Sequence, residues 1–367
     1  MRIDQNLYLV VFECCQVVKG AKLALIHDLQ RKMQRQIPNE FADLLLNYNG
    51  TLIKELLSNY KADFHEIILE NLQLLIDEEY CFLTKHPEKF PKMSMDWHTS
   101  SAITNAIVEY NSVLDFKSII QQLSDLGCEH LELRFYKQIT FEDLSRTLSL
   151  LDGSRILSLV LHIPFQEEVS LLELEMLISD YPRIAIISQH TAPENKDVSA
   201  GKKGFGIIKM TTQAMSSNIH CGKFNLDLLN VNIKSFTEAK QFNSCLNRKI
   251  SVDQKGQIKN CPSMMESYGN IDEISLAQVI ENPDFLKYWD INKDKIHVCK
   301  DCEYRFMCHD CRAYVENPED IFSKPLKCGY NPYAGEWTEW SNNPLKKTAI
   351  EYYGMQELMG EISEVQV

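Results

Sequence analysis

The spacing of apolar positions predicts a small mixed unit at the start of the chain. Apolar, β-branched runs over residues 7–12 and 16–18 predict a first strand-like stretch, and further strands are predicted over 22–27 and 31–37. Apolar residues at helical spacing predict helices over 38–48 and 63–80, with a short helix between them after Thr51. A last strand is predicted at 81–85. Three strands, three helices and a wing together predict a winged-helix unit over residues 1–95.

A second pattern, strand and helix in regular alternation, begins near residue 103. Strands are predicted at 103–110, 130–136, 156–165 and 184–188, and amphipathic helices at 116–126, 140–150 and 171–181. Alternating units of this length are typical of a parallel sheet covered by helices. The fold class is therefore α/β, with five or six strands forming a reduced or partial (β/α) barrel over residues 96–244. A cysteine-rich domain over 245–340 and a helical tail over 341–367 follow.

The cysteines are the unusual part of the composition. There are 12 of them, and seven lie between Cys245 and Cys328. The N-terminus lacks the features of a secretion signal, so we expect a reduced, cytoplasmic setting in which clustered cysteines bind metal. A predicted hairpin over 250–259 brings Cys245 and Cys261 together, and two Cys-x-x-Cys steps follow at Cys299–Cys302 and Cys308–Cys311. Seven or eight thiolates predict two metal centres.

Charge and hydropathy exclude some functions and leave others open. Lys and Arg total 38 against 51 Asp and Glu, a formal charge of −13, which argues against broad binding of nucleic acid. No apolar run approaches the roughly 20 residues of a membrane helix. A local basic cluster of Arg31, Lys32 and Arg35 fits either phosphate or an acidic peptide. Cys14, Cys15, Cys81 and Cys128 lie in strand or helix patterns and are interpreted as buried core thiols.

The cysteine-rich region closely resembles the SPASM domain of radical S-adenosylmethionine peptide maturases. The family pattern of seven cysteines is matched, including Gly256-x4-Cys261, with one departure, the shortened Cys308-x2-Cys311. The resemblance implies two [4Fe–4S] clusters. One would be held by Cys299, Cys302, Cys308 and Cys328. The other would be held by Cys245, Cys261, Cys311 and an upstream ligand, for which Cys221 is preferred over His220. Zinc is the alternative metal, because paired Cys-x-x-Cys steps also bind it.

The first 90 residues resemble the domain that recognises leader peptides in ribosomal peptide maturation, through the order of elements and Asn49-Gly50. The resemblance implies a peptide added as a strand along the third strand and packed on the third helix. The implied peptide-binding residues are Lys32, Met33, Gln34, Arg35, Gln36, Ile37, Leu69 and Gln73. A winged helix that binds DNA, or a purely structural module, is the alternative interpretation.

The catalytic cysteine triplet of radical enzymes, Cys-x3-Cys-x2-Cys, is missing from the sequence. Its place after the first barrel strand, residues 110–117, contains no cysteine. S-adenosylmethionine is therefore not expected as a cofactor. A leader-recognition unit, a barrel without the triplet and a SPASM tail resemble the SPASM-domain maturase of grasp-with-spasm systems. That resemblance implies a precursor peptide and an ATP-grasp ligase as partners.

Two other functions stay open: a redox or radical enzyme that uses the SPASM clusters, and a structural zinc scaffold. The catalytic residues are unknown. Glu132, Arg134, His162 and His190 fall near strand ends, where barrel active sites gather, although such histidines more often belong to the core or rim. The glycine-rich segment 201–206 fits a mobile hairpin loop better than a phosphate loop.

Overall fold

The computed structural model describes residues 3–199, 205–215, 217–222, 224, 229 and 231–359. Within them the fold is mixed α/β, dominated by one eight-stranded, mostly parallel sheet. None of the described helices combines the length and the apolar character needed to cross a lipid bilayer. Most of the glycine-rich segment 201–206 and the end of the tail, residues 360–367, lie outside the described residues.

The N-terminal part forms two small sheets packed on three helices. Its elements are β1 Tyr8–Val11, β2 Cys15–Lys19, β3 Leu23–Asp28, β4 Met33–Pro38, α1 Asn39–Tyr48, α2 Ile53–Ser58, α3 His65–Asp77 and β5 Cys81–Thr84. Strands β2, β3 and β4 form an antiparallel sheet in that order, so β4 lies at an edge. The last strand, β5, pairs with β1 in a separate antiparallel sheet. Apolar side chains from both sheets and all three helices share one core.

The large sheet begins with four parallel strands connected by helices. Its elements are β6 Asn105–Glu109, α4 Phe116–Asp125, β7 His130–Arg134, α5 Phe141–Ser149, β8 Ser158–Pro164, α6 Leu171–Asp180, β9 Ile184–His190, β10 Lys196–Ser199 and β11 Ile207–Met210. The helix starts follow from capping. Asp115, Thr140 and Ser170 each accept a hydrogen bond from a backbone N–H in the first turn, and Ser170 forms a capping box with Glu173.

The sheet continues beyond residue 244. After α7 Ile233–Gln241, strand β12 Lys249–Val252 pairs in parallel with β6, and β13 Ile258–Lys259 pairs with β12 as the predicted hairpin. The sheet order is β10-β11-β9-β8-β7-β6-β12-β13. Alternation along β8 buries Leu159, Leu161 and Ile163 beneath the helices. The intervening residues, including His162, lie on the opposite face.

Little regular structure follows the sheet. The remaining elements are α8 Leu276–Ile280, α9 Pro283–Leu286, β14 Tyr330–Asn331, β15 Glu336–Trp337 and α10 Lys347–Tyr352. The predicted helical character of the tail agrees with α10 and with the short 3-10 turns beside it, Pro344–Lys346 and Gln356–Met359. Between α9 and β14 the chain folds as loops with two short 3-10 turns, and this stretch contains five of the predicted metal ligands.

Candidate metal centres and the polar face of the sheet

Four cysteines from distant parts of the chain form a first cysteine group, defined as Cys221, Cys245, Cys261 and Cys311. Burial raises the pKa of Cys311, and the charges of Cys221, Cys245 and Cys261 raise it further. Burial and the neighbouring Cys221 likewise raise the pKa of Cys261 to about 11. These couplings place all four sulfurs in one neighbourhood, although 90 residues separate the first from the last.

Local sequence explains how two members of the first cysteine group are presented. The Asn243 side-chain oxygen accepts hydrogen bonds from the backbone N–H groups of Cys245 and Leu246, at 3.0 and 2.8 Å, which fixes the turn before β12. Gly222 has φ +81°, and a Cβ there would lie 3.2 Å from Cys311 Sγ. A glycine at this position lets the backbone beside Cys221 approach Cys311 closely.

A second cysteine group consists of Cys299, Cys302, Cys308 and Cys328. Burial raises the pKa of Cys299 to about 11, and the charge of Cys328 acts in the same direction. Burial also raises the pKa of Cys308 to about 12, with Cys328 and Cys299 contributing. At neutral pH the Cys299 and Cys308 side chains are thiols, so a bound cation has to displace their protons before they act as thiolate ligands.

A lysine lies against each group, Lys249 half-buried and Lys293 buried, although the spacing of the cysteines gave no indication of them. Lys249 Nζ lies 3.5 Å from Cys245 Sγ, and Lys293 Nζ lies 3.8 Å from Cys308 Sγ. Burial lowers the pKa of each lysine, but negative charge on the adjacent cysteines, with Glu132 for Lys249 and Asp310 for Lys293, raises it more, so the net shift is upward. Since buried charges are normally paired, these cations indicate anionic partners, which metal-bound thiolates provide.

A buried acid connects the two groups. Asp310, between Cys308 and Cys311 in sequence, accepts hydrogen bonds at 2.7 Å from Arg312 and from Asn243, and its Oδ1 lies 3.5 Å from Lys293 Nζ. Asp310 is fully buried. Its charge raises the pKa of thiols in both groups. The network therefore holds the segment shared by the two groups in one conformation.

The separation of the sulfurs bears on which metal fits. In a tetrahedral zinc site with Zn–S bonds of about 2.3 Å, the sulfurs lie about 3.8 Å apart. Among the described residues, the ligand atoms that approach within 4.8 Å of one another as a set of three belong to Cys14, Cys15 and Asp28, and not to the eight cysteines of the two groups. In a four-iron cluster each thiolate binds a separate iron, so the four sulfurs lie farther apart than they do around a single zinc ion. The donor set and the adjacent lysines fit such clusters.

The Cys14, Cys15 and Asp28 set is satisfied without a metal. Asp28 accepts hydrogen bonds from the backbone N–H groups of Gln30 and Arg31 and from the Arg31 guanidinium. Cys15, like Cys81 and Cys128, is buried as expected, whereas Cys14 is only half-buried. The prediction that Cys14 is a core thiol is therefore wrong, because this residue lies in the turn before β2 rather than within the strand.

Charged side chains line the sheet face opposite the helices. Glu132 Oε1 lies 2.6 Å from Arg134 Nε and 3.2 Å from His162 Nε2. Arg134 also donates to Asn218 Oδ1 at 2.7 Å. Burial opposes ionisation of Glu132, but Arg134 and His162 outweigh it and hold the pKa of that carboxyl well below its usual range. Because Arg134 also feels Cys221 and Cys261, the polar face adjoins the first cysteine group.

The carboxyl ends of β6 and β7 enclose a cavity of about 490 Å³. Asn111, Tyr136 and Gln254 contribute to its lining, and Tyr136 donates to Glu109 Oε1 at 2.9 Å. This is the place where the family resemblance would locate the catalytic triplet. His190 is buried, with Nε2 3.3 Å from the carbonyl oxygen of Phe135, a residue that lines the cavity, so its contacts are those of a core residue.

The predicted peptide-binding residues fall on β4 and α3. Of the five on β4, Ile37 alone is buried, while Met33 is 52% exposed. On α3, Leu69 and Gln73 are half-buried, and Gln73 donates to Asp77 at 2.8 Å. Lys32, in the turn before β4, has φ 59°. The β4 edge and the adjacent surface of α3 are called the β4–α3 surface below.

The basic cluster at this surface is internally paired. Arg35 lies 2.7 Å from Glu78, and Arg31 bonds to Asp28 and lies 3.1 Å from Glu79. Arg31 and Arg35 therefore already have carboxylate partners. These ion pairs argue against the expectation that the two arginines present free charge to phosphate or to an acidic peptide. The acids that pair with them are Asp28 and the two residues that follow α3, Glu78 and Glu79.

Comparisons with known proteins give structural neighbours only. No protein-family model matches the chain, and no curated protein matches it. Among solved structures, SuiB of Streptococcus suis bound to S-adenosylmethionine aligns with TM-score 0.34 and 11% identity, over 86% of this chain and 98% of that chain. SuiB alone gives 0.32 and 9%, over 89% and 99%. SuiB bound to precursor peptide SuiA gives 0.30 and 11%, over 83% and 96%. Likeness at this level establishes neither family nor function.

Proposed function

We propose that this protein is a maturation factor for a ribosomally synthesised peptide. It binds the leader of the precursor at the β4–α3 surface, holds two iron–sulfur clusters in its two cysteine groups, and works together with an ATP-grasp ligase. The clusters supply a redox-capable or Lewis-acidic centre. The chain's own residues bind and orient the peptide.

The observation that carries the proposal is the pairing of two features in one chain. Eight cysteines fall into two groups of four whose members interact electrostatically, and each group has a lysine beside it. The sequence pattern of these cysteines is that of SPASM peptide maturases. Cluster-binding motifs of this kind, combined with an N-terminal unit that leaves a strand edge open, favour a protein that handles peptides over one that reads nucleic acid.

The β4–α3 surface supports peptide binding on its own chemistry. An edge strand presents unpaired backbone groups, and an added peptide strand satisfies them. Met33 on β4 and Leu74 on α3 are large apolar side chains left 52% and 41% exposed. Since Arg31 and Arg35 are already paired, this surface offers backbone and apolar contacts rather than a phosphate-binding patch.

The role in the maturation reaction is that of a partner more than of a radical catalyst. Residues 110–117 contain no cysteine, so no site-differentiated cluster is available there to bind S-adenosylmethionine. Bond formation is assigned to the ATP-grasp ligase, whose phosphate-binding loop this chain lacks. The alternative of a redox enzyme keeps one specific argument, which is the contact between the first cysteine group and the charged face around Arg134.

The test is binding of a fluorescent leader peptide, taken from a precursor encoded beside the gene, measured by anisotropy. Met33→Glu and Leu74→Glu should each weaken binding about 10- to 100-fold, because each removes a buried apolar contact worth roughly 1.5–3 kcal/mol. The matched control is Leu172→Glu, at a leucine of α6 that is 65% exposed, which should bind as the unchanged protein does. A peptide N-methylated at alternate residues should also bind weakly.

Equal affinity of all three variants would reject the β4–α3 surface as the binding site. No affinity for any neighbouring precursor would reject the proposed function itself.

A further inference from the structure

The N-terminal part is fastened to the segment that carries three ligands of the second cysteine group. This ligand segment, residues 299–308, runs from Cys299 to Cys308. The backbone N–H of Ala21 donates to the Asp301 carbonyl at 2.7 Å. Buried His27, on β3, has Nε2 3.1 Å from the Glu303 carbonyl. Both contacts cross about 280 residues of sequence and end on the backbone between two predicted ligands.

One guanidinium joins a predicted ligand to the N-terminal part directly. Arg305 donates through one nitrogen to the Cys302 carbonyl at 2.9 Å and to the Lys19 carbonyl at 2.7 Å. Lys19 is the last residue of β2, and Cys302 belongs to the second cysteine group. A displacement of Cys302 therefore moves the Arg305 guanidinium, which is hydrogen-bonded to the last residue of β2.

Apolar packing and a close backbone approach complete this contact. Val18 and Leu29 share a buried cluster with Phe306 and Met307 of the ligand segment and with Phe236 of α7.

The backbone of Gly20 lies directly against Glu303 of the ligand segment. A Cβ on Gly20 would lie 2.3 Å from the Glu303 carboxylate and 2.9 Å from the Glu303 backbone nitrogen. Its φ lies outside the left-handed region, so the lack of space, and not backbone conformation, requires a glycine here.

We propose that the second cysteine group is a structural anchor: metal bound there orders the ligand segment, and the ordered segment holds the N-terminal part in place. The inference rests on the proposed function for the identity of the ligands and for the peptide-binding role of the N-terminal part. The second group then has a structural role. Metal bound at that group fixes the position of the bound leader relative to the first cysteine group and to the polar face of the sheet.

The physical basis is the short length and irregular fold of the ligand segment. Residues 299–308 contain one short 3-10 turn, Cys299–Asp301, and their internal backbone hydrogen bonds, such as those from Cys302 N–H to the Cys299 carbonyl and from Arg305 N–H to the Cys302 carbonyl, close single turns rather than a helix or strand. Metal supplies bonds to Cys299, Cys302 and Cys308 within ten residues, and thereby constrains each carbonyl that the N-terminal part uses.

Hydrogen exchange at single amides tests this coupling in the full-length, anaerobically purified protein. The Ala21 amide reports the contact because its acceptor lies on the ligand segment, and the Leu9 amide, bonded to the Thr51 carbonyl at 2.9 Å within the N-terminal part, is the internal control. Removal of metal with a chelator should speed exchange of Ala21 at least about tenfold, since its acceptor becomes mobile. Amides of β3 should change less than about twofold.

Two variants break the contact without touching a cysteine. Gly20→Ala and Arg305→Gln should each give fast exchange at Ala21 even when metal is bound, with metal content equal to that of the unchanged protein. Gln30→Ala, at an exposed position of the same unit, should exchange as the unchanged protein does. Slow exchange at Ala21 after complete metal removal overturns the proposal. Because no peptide is used, failure of the proposed function would leave this result unaffected.

Discussion

Lys249 gives the sharpest prediction about the first cysteine group. Its ammonium lies 3.5 Å from Cys245 Sγ, and among the described residues no carboxylate lies within 4.0 Å of it. At an effective dielectric constant of about 20, opposite charges at that distance attract by about 5 kcal/mol. Lys249→Met removes this attraction but also the lysine's own desolvation cost, so we expect a net loss of about 3 kcal/mol.

That loss corresponds to roughly 100-fold weaker retention of metal. The assay is competition with a chelator: the concentration that removes half of the metal of the first cysteine group should fall about 100-fold in Lys249→Met. The second group should release its metal at an unchanged concentration. Lys255→Met, in the neighbouring exposed turn, is the control and should match the unchanged protein. Equal retention in Lys249→Met and in the control would refute the view that the adjacent lysines balance thiolate charge.

Three further predictions concern stability. Asp310→Asn should destabilise the protein by about 3–5 kcal/mol in denaturant unfolding, because it leaves buried Arg312 without its carboxylate; a loss under 1 kcal/mol would contradict the assigned network. Burial lowers the pKa of His27 to about 4 from its ordinary 6.5. The unfolded chain therefore binds the proton more readily, and about 2 kcal/mol should be lost as the pH falls from 7 to 5, a loss that His27→Asn should not show. Ser170→Ala should cost about 1 kcal/mol through the lost capping box of α6, and an unchanged melting temperature would count against it.

Local patterns in the sequence predicted much of the fold. The alternation along residues 158–164 predicts a strand, since Leu159 and Leu161 pack beneath helices while His162 does not. The helix predicted over 140–150 is capped by Thr140, whose side chain accepts a hydrogen bond from the backbone N–H of Asp143, only three residues along the chain. These features depend on neighbours in sequence, and such neighbours are visible in the sequence itself.

Contacts between distant residues were not predictable in the same way. The parallel pairing of β12 with β6 joins residues about 145 apart in sequence. No feature of residues 249–252 indicates with which strand they pair. The pairing of Arg31 and Arg35 with acids near Glu78 changed the interpretation of a cluster that looks basic in sequence. Lys249 and Lys293 near the sulfurs follow from tertiary packing, because lysine has no fixed spacing in a metal motif.

The central claim is that this chain holds two four-iron clusters in its two cysteine groups. The most direct test is iron and acid-labile sulfide analysis of anaerobically purified protein, together with its visible absorption. The account predicts about eight irons and eight sulfides per chain, at one four-iron cube per four cysteines, and a decrease to about half in Cys302→Ser. Stoichiometric zinc without sulfide, or iron that survives replacement of cysteines in both groups, would contradict it.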